Sequence, residues 1–314
     1  MGKDEFLKTP EQPALPRDRA QHLGARTLDF ASVNRLKTDP EVLEAFGKDF
    51  PVQEFVRLGI HEISEVRRDA RYANAKHAEY GDERYRAKTL EEVVRHGIVK
   101  NNWLGEDFSG ATVFQTTRYD DYQNRNDIVV SADDLSFSID VTYNSTKLQD
   151  KLSRPTNDAT LNAQLPPGFS RVKYFDDGKS IGDELLPRFV VGLDYFDNAA
   201  NFKQPHSPAS KRARFKILSE LCVQAKKHYA TMLETDPDVA QDSTIAMENL
   251  YYAFDESLRD AVTDLRLAKD SSFAGIQTKL ASTEKFADQC HIIEESLATG
   301  DGVYKDTMRV LTQS

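Results

Sequence analysis

The chain is predicted to be an α+β protein: helix, three-stranded meander, helix, strand, strand, then a C-terminal helical bundle or extension. Three observations predict this. Apolar residues recur at helical spacing from Val52 to Ala73, the period switches to two between Ala111 and Asp194, and helical spacing returns from Phe215 to Leu297. At 314 residues with 39% hydrophobic content, the chain has enough apolar mass for one large core or two ordinary ones. The expected divisions are an N-terminal arm with a short helix over 1–50, an α/β core over 51–202 and a helical region over 203–314.

The elements follow in order. Pro10, Pro13, Pro16 and Pro40 stand among mixed charges, which reads as an extended arm before one short helix around Val42, Leu43 and Phe46. Val52, Phe55, Val56, Ile60, Ile63, Val66, Ala70 and Ala73 mark a long amphipathic helix with a break near Gly59, ended by Gly81-Asp82. Thr89 and Glu92 have capping-box spacing and open a second helix. Strands are expected at 111–117, 127–132, 135–143, 171–175 and 187–194, with a short helix over Ser145 to Ser153. The run at 135 alternates: Leu135, Phe137, Ile139, Val141 and Tyr143 face one way, Ser136, Ser138, Asp140 and Thr142 the other. Residues 203–210 read as a linker. Three helices follow, around Phe215 to Met232, Met247 to Leu265 and Phe273 to Leu297, ending before Pro237 and at Gly300; they form their own domain or fold against the sheet.

Composition excludes several classes. No run approaches the ~18 apolar residues of a membrane span, the mean hydropathy is −0.59, and the first twenty residues lack a signal peptide's apolar core. Cytoplasmic residence with no membrane partner is the expectation. Cys222 and Cys290 fall on apolar helix faces and read as reduced core thiols, and the seven histidines show no zinc-ligand spacing. P-loop, GxGxxG and GxSxG patterns are absent. The net charge of −10 argues against nucleic acid, but residues 101–150 hold much of the excess, with nine acidic against three basic side chains.

That acidic segment contains the chemistry. Asp127 opens one strand and Asp140 closes the next, and a hairpin sets the start of its first strand beside the end of its second. Two convergent carboxylates suit Mg²⁺ or Mn²⁺, a hard cation that keeps waters for phosphate oxygens to replace. A pair of exposed strand-end acids gives the same pattern. Arg118, Tyr119, Asp120, Asp121 and Tyr122 lie just upstream. Arg67, Arg68, Arg71, Arg84, Arg86 and Lys88, and again Lys211, Arg212, Arg214, Lys216, Lys226 and Lys227, form basic faces that suit either a phosphate backbone or surface salt links.

Helix, meander, helix and strand, with Asp127 on the second strand and Asp140 on the third, resembles the PD-(D/E)XK nuclease-like superfamily over roughly residues 55–195. The resemblance implies a restriction-endonuclease-like core, metal ligation by Asp127 and Asp140, and hydrolysis of a phosphodiester in DNA or RNA. It also implies a lysine two positions beyond Asp140 to position the attacking water, and here that position is Thr142. A threonine hydroxyl brings no positive charge. Some members carry the lysine on a neighbouring element, which points to Lys147 or Lys151 on the following helix. The family often adds a glutamate from the first helix, for which Glu65, Glu79 and Glu92 are candidates. The alternative is a catalytically inactive nuclease-like protein that binds nucleic acid or a protein partner. Nucleotidyl transfer, which also needs paired strand carboxylates, usually wants a Gly-Ser turn with an Asp-x-Asp pair, and neither is present.

Overall fold

A computed structural model of the chain describes residues 30–79, 83–132, 135–143, 148–154, 156–157, 164–194, 207–234, 241–268, 274–298 and 301–313. The proline-rich arm over 1–29, the Gly81-Asp82 stop, the 133–134 turn, Lys147, and the stops at Pro237 and Gly300 lie outside them. Three short helices come first: α1 (Phe30–Arg35), α2 (Pro40–Phe46) and α3 (Val52–Arg57). Asp39 caps α2, its carboxylate accepting from Glu41 N at 3.2 Å while Pro40 occupies the first turn. The break expected near Gly59 is present, and α4 (Ile63–Glu79) follows it. Val33, Leu36, Val42, Phe46, Phe55, Val66 and Ala70 form a buried cluster of their own, closed by Tyr174 from the sheet.

Helix α5 (Glu83–Asn101) starts well before Thr89, so that residue sits inside the helix and caps nothing. Its capping-box spacing with Glu92 is coincidental, because Leu90, Val93, Val94 and Ile98 already give the helix one continuous buried face. The meander is β1 (Thr112–Gln115), β2 (Ile128–Ala132) and β3 (Leu135–Thr142), all antiparallel. Between β1 and β2 lies a helix that apolar periodicity does not announce, α6 (Arg118–Asn124), capped by Thr117. After α7 (Leu148–Ser153), β4 (Phe169–Asp176) and β5 (Ile181–Gly192) complete a five-stranded sheet in the order β1-β2-β3-β5-β4. β5 runs parallel to β3, Asp140 pairing with Val190, and begins six residues earlier than the sequence suggested.

One face of the sheet carries Ile128, Val130, Phe137, Ile139, Phe189 and Val191, continuous with the core of the C-terminal helices. These are α8 (Pro208–Glu234), α9 (Gln241–Leu267), α10 (Ala274–Ala281), α11 (Phe286–Ala298) and α12 (Gly302–Gln313). The helical region therefore folds against the sheet. α8 starts inside the expected linker, Pro208 being tolerated in a first turn where its missing N–H costs nothing. The expected third helix is two, interrupted at Ser282 to Lys285, and α12 follows beyond it. Cys222 and Cys290 carry free thiols. Among the described residues, no helix is long and apolar enough to cross a membrane.

Candidate functional site

The opposite sheet face turns polar at one end. The last registered pair of the β2–β3 ladder is Ile128 with Ile139, so Asp127 and Asp140 stand opposite one another one step further, with side chains on the same face. Asp127 Oδ2 accepts the Val141 backbone N–H at 2.7 Å, and both carboxylates are buried. Neighbouring Asn126 accepts from Ser138 Oγ at 2.8 Å and from Ser170 Oγ at 2.6 Å, which fixes the chain at the entrance to β2.

Two cations grip Asp140. Lys151, from α7, places its ammonium on Oδ1 and also donates to Val141 O at 3.3 Å. Arg188, from β5, places its guanidinium on Oδ2, and donates to Arg125 O at 3.0 Å and Lys151 O at 2.9 Å. Burial would raise the Asp140 carboxyl, but Lys151 and Arg188 outweigh it and hold the group below its ordinary range. Asp127 behaves oppositely. Burial, and then the charges of Glu91, Asp121 and Asp140, push it well above the carboxylate range, with Lys151 only partly opposing.

Glu91 enters from α5. Its carboxylate meets Lys88 at 2.6 Å, and Lys88 also reaches Asp121 at 2.9 Å. Burial pushes Glu91 up to about 7, against the pull of Lys88. Four carboxylates (Glu91, Asp121, Asp127, Asp140) thus share the region with three cations (Lys88, Lys151, Arg188). Burial and the neighbouring carboxylates make Asp127 and Glu91 harder to ionise, whereas Lys151 and Arg188 make Asp140 easier.

Compared with protein-family models, curated proteins and solved structures, the chain matches none. The residues themselves must carry the reading. Asp127, Asp140 and Lys151 of the sequence-predicted set come together. Thr142 lies on the same strand face as Asp140, buried, with its carbonyl accepting Leu193 N at 2.9 Å, and contributes no charge. Lys147 falls outside the described residues. The expected helix glutamates go elsewhere: Glu65 pairs with Lys173 at 2.6 Å, Glu79 with Lys76 at 2.9 Å and Glu92 with Arg95 at 2.7 Å. Several basic-face residues are likewise engaged, Arg67 with Asp39 at 3.0 Å, Arg214 with Asp264 at 2.8 Å and buried Lys216 with Asp301 at 2.7 Å.

Glu91, Lys88 and Arg188 are the members that sequence reasoning did not place. Glu91 interrupts the buried stripe of Leu90, Val93 and Val94, a signal that an acid faces inward. Arg188 similarly interrupts the apolar run of β5. Among the described residues, no group of three or more His, Cys, Asp or Glu side chains is arranged as a metal centre. Both oxygens of Asp140 face cations and Asp127 Oδ2 accepts the Val141 N–H, so a hard cation would have to displace these partners to reach the pair.

Proposed function

We propose that the chain is a divalent-cation-dependent phosphodiesterase acting on nucleic acid, with Asp127 and Asp140 holding Mg²⁺ or Mn²⁺. What supports this reading is Lys151. Its ammonium arrives from α7 onto Asp140 and the Val141 carbonyl, supplying beside the second acid the charge that Thr142 lacks. When bound, the cation supplies charge stabilisation at the phosphate and a water of lowered pKa. The protein's part is to hold that water by a Lys151 N–H and to stabilise the negative charge it gains on losing its proton. Lys88 pairs with both Glu91 and Asp121 and so offsets part of the negative charge that faces Asp127.

The test is cleavage of single- and double-stranded DNA and RNA with Mg²⁺ or Mn²⁺. Turnover by the wild-type chain is expected to fall about a hundredfold or more in Lys151→Met and to vanish in Asp140→Ala. Cleavage that is indifferent to Asp140→Ala comes from a contaminant and sinks the reading.

One observation favours a second reading. Both oxygens of Asp140 are already taken by Lys151 and Arg188, which is also how a silent ion-paired scaffold would look. Salt-dependent nucleic-acid binding with no metal requirement and no turnover would support that inactive relative.

A further inference from the structure

Behind Arg188 the same face opens into a cavity of about 330 Å³, within the size range of small-molecule sites, roughly 300–1,000 Å³. Leu152, Leu165, Pro166 and Pro167 line it together with His228, and Arg188 joins it to Asp140. The leucines and prolines are apolar surfaces on which a flat ring can stack. His228 comes from α8 one turn after Gln224, and its ring lies against the backbone of Gly168, where a Cβ would collide with it. None of the hydrogen bonds or ion pairs among the described residues uses His228. Burial, with Lys227 and Arg188 nearby, pushes it down to about 4, so the imidazole is neutral and offers one donor and one acceptor. Arg188 spends three of its five donors on Asp140, Arg125 O and Lys151 O.

We propose that this cavity takes the base of the nucleotide adjoining the phosphate at Asp140, the inference resting on the nuclease reading of that site. The chemistry is one of division. A planar base stacks on Pro166, Pro167 and the leucines and meets the His228 nitrogens with its polar edge. Its phosphate lies towards Arg188, whose remaining N–H groups suit an anion. A wholly apolar ligand would leave Arg188 and His228 unsatisfied, and a bare phosphate would leave the apolar wall wet.

The experiment titrates the full-length chain in EDTA with adenosine 5′-monophosphate and, separately, with ribose 5-phosphate, by calorimetry. The nucleotide is expected to bind about tenfold or more tightly than the sugar phosphate, as one stacked base allows. Ser153→Trp, an exposed change at the cavity's edge, and His228→Phe, which keeps the ring and removes its nitrogens, are each expected to erase most of that difference. Equal affinities in the wild-type chain, or a preference that survives Ser153→Trp, overturn the proposal. Its failure is separable from that of the nuclease reading. Base-dependent binding without any metal-dependent cleavage leaves the cavity assigned and removes the nuclease, whereas cleavage with no base preference does the reverse.

Discussion

Asp127 and Asp140 are chemically identical and a strand apart, yet their surroundings drive them in opposite directions. Asp140 has Lys151 and Arg188 on its two oxygens and stays ionised; Asp127 has one backbone N–H and the charges of Glu91 and Asp121. Removing a single partner from a buried pair such as Arg188 with Asp140 typically costs about 3–5 kcal/mol, because the other charge is stranded. Glu91 makes the balance measurable. Its carboxyl moves from an ordinary 4.5 to about 7, so between those values the folded chain holds a proton that the unfolded chain has released. The stability this lends is present below pH 4.5 and is lost as pH rises through about 7. Glu91→Gln does not titrate and still offers Lys88 an oxygen. Its stability is therefore expected to change less between pH 5 and pH 8 than the wild type's, by up to roughly 3 kcal/mol. Urea midpoints at the two pH values check this, and parallel losses in both proteins would refute it. Asp140, held low, acts in a separate window below its ordinary 3.8, where its contribution disappears as pH falls.

At the scale of elements, side chains complete a sheet that strands leave unfinished. β4 stops pairing with β5 at Pro187, which leaves the backbone beyond it with an open edge. Gln224 on α8 closes it, accepting Val190 N and donating to Val190 O, both at 2.8 Å, and Glu220 accepts Gly192 N at 3.0 Å. The spacing explains why a helix can do this: four helical residues rise about 6 Å and two strand residues about 6.6 Å. Gln224→Leu strands a buried donor and a buried acceptor and is expected to cost about 2–5 kcal/mol, read as a lower urea midpoint at unchanged slope. A loss below ~0.5 kcal/mol would mean that water replaces the amide. Asp120 plays a similar part at the irregularity in β4, accepting Lys173 N at 2.7 Å and Tyr174 N at 3.1 Å. These devices explain what was legible. Alternation along β3 and apolar spacing in α8 and α9 are local, and the 128–139 hairpin register follows from them, so the elements and the pairing of Asp127 with Asp140 could be read from sequence. α6 has seven mostly polar residues and exists to deliver Asp120, and Gln224 matters only because Val190 lies beside it. Arg188 looked like one charge in an apolar strand, since its partner is 48 residues away.

For the molecule as a whole, the decisive feature is a sheet with unlike faces. Phe137, Ile139, Phe189 and Val191 are wholly buried against a core that includes Phe215, Leu218, Leu221, Leu250 and Phe254. Phe254 stacks edge-on to both Phe137 and Phe189, with ring centroids 5.3 Å away in each case. α8 and α9 are therefore the cover of one sheet face, while the other carries a small cluster of Val129, Val172, Phe175 and Leu186 and, at one end, Asp127, Asp140 and Arg188. α8 serves both, since Leu218 and Leu221 enter the core while Gln224 and His228 reach the polar side. A chain ending at His206 loses this cover. Uncovering four large apolar sheet residues, at about 1.5–3 kcal/mol each, removes roughly 6–12 kcal/mol from a domain whose total stability is normally about 5–15. The open edge at Val190 and Gly192 adds to the deficit. The shortened chain is expected to lack a cooperative urea transition and to aggregate on gel filtration, while the full chain shows sheet and C-terminal helices unfolding together. A shortened chain that still unfolds cooperatively would show that residues 30–206 hold a core independent of α8 and α9, and the site would then owe its geometry to the meander, α5, α7 and β5 without the C-terminal helices.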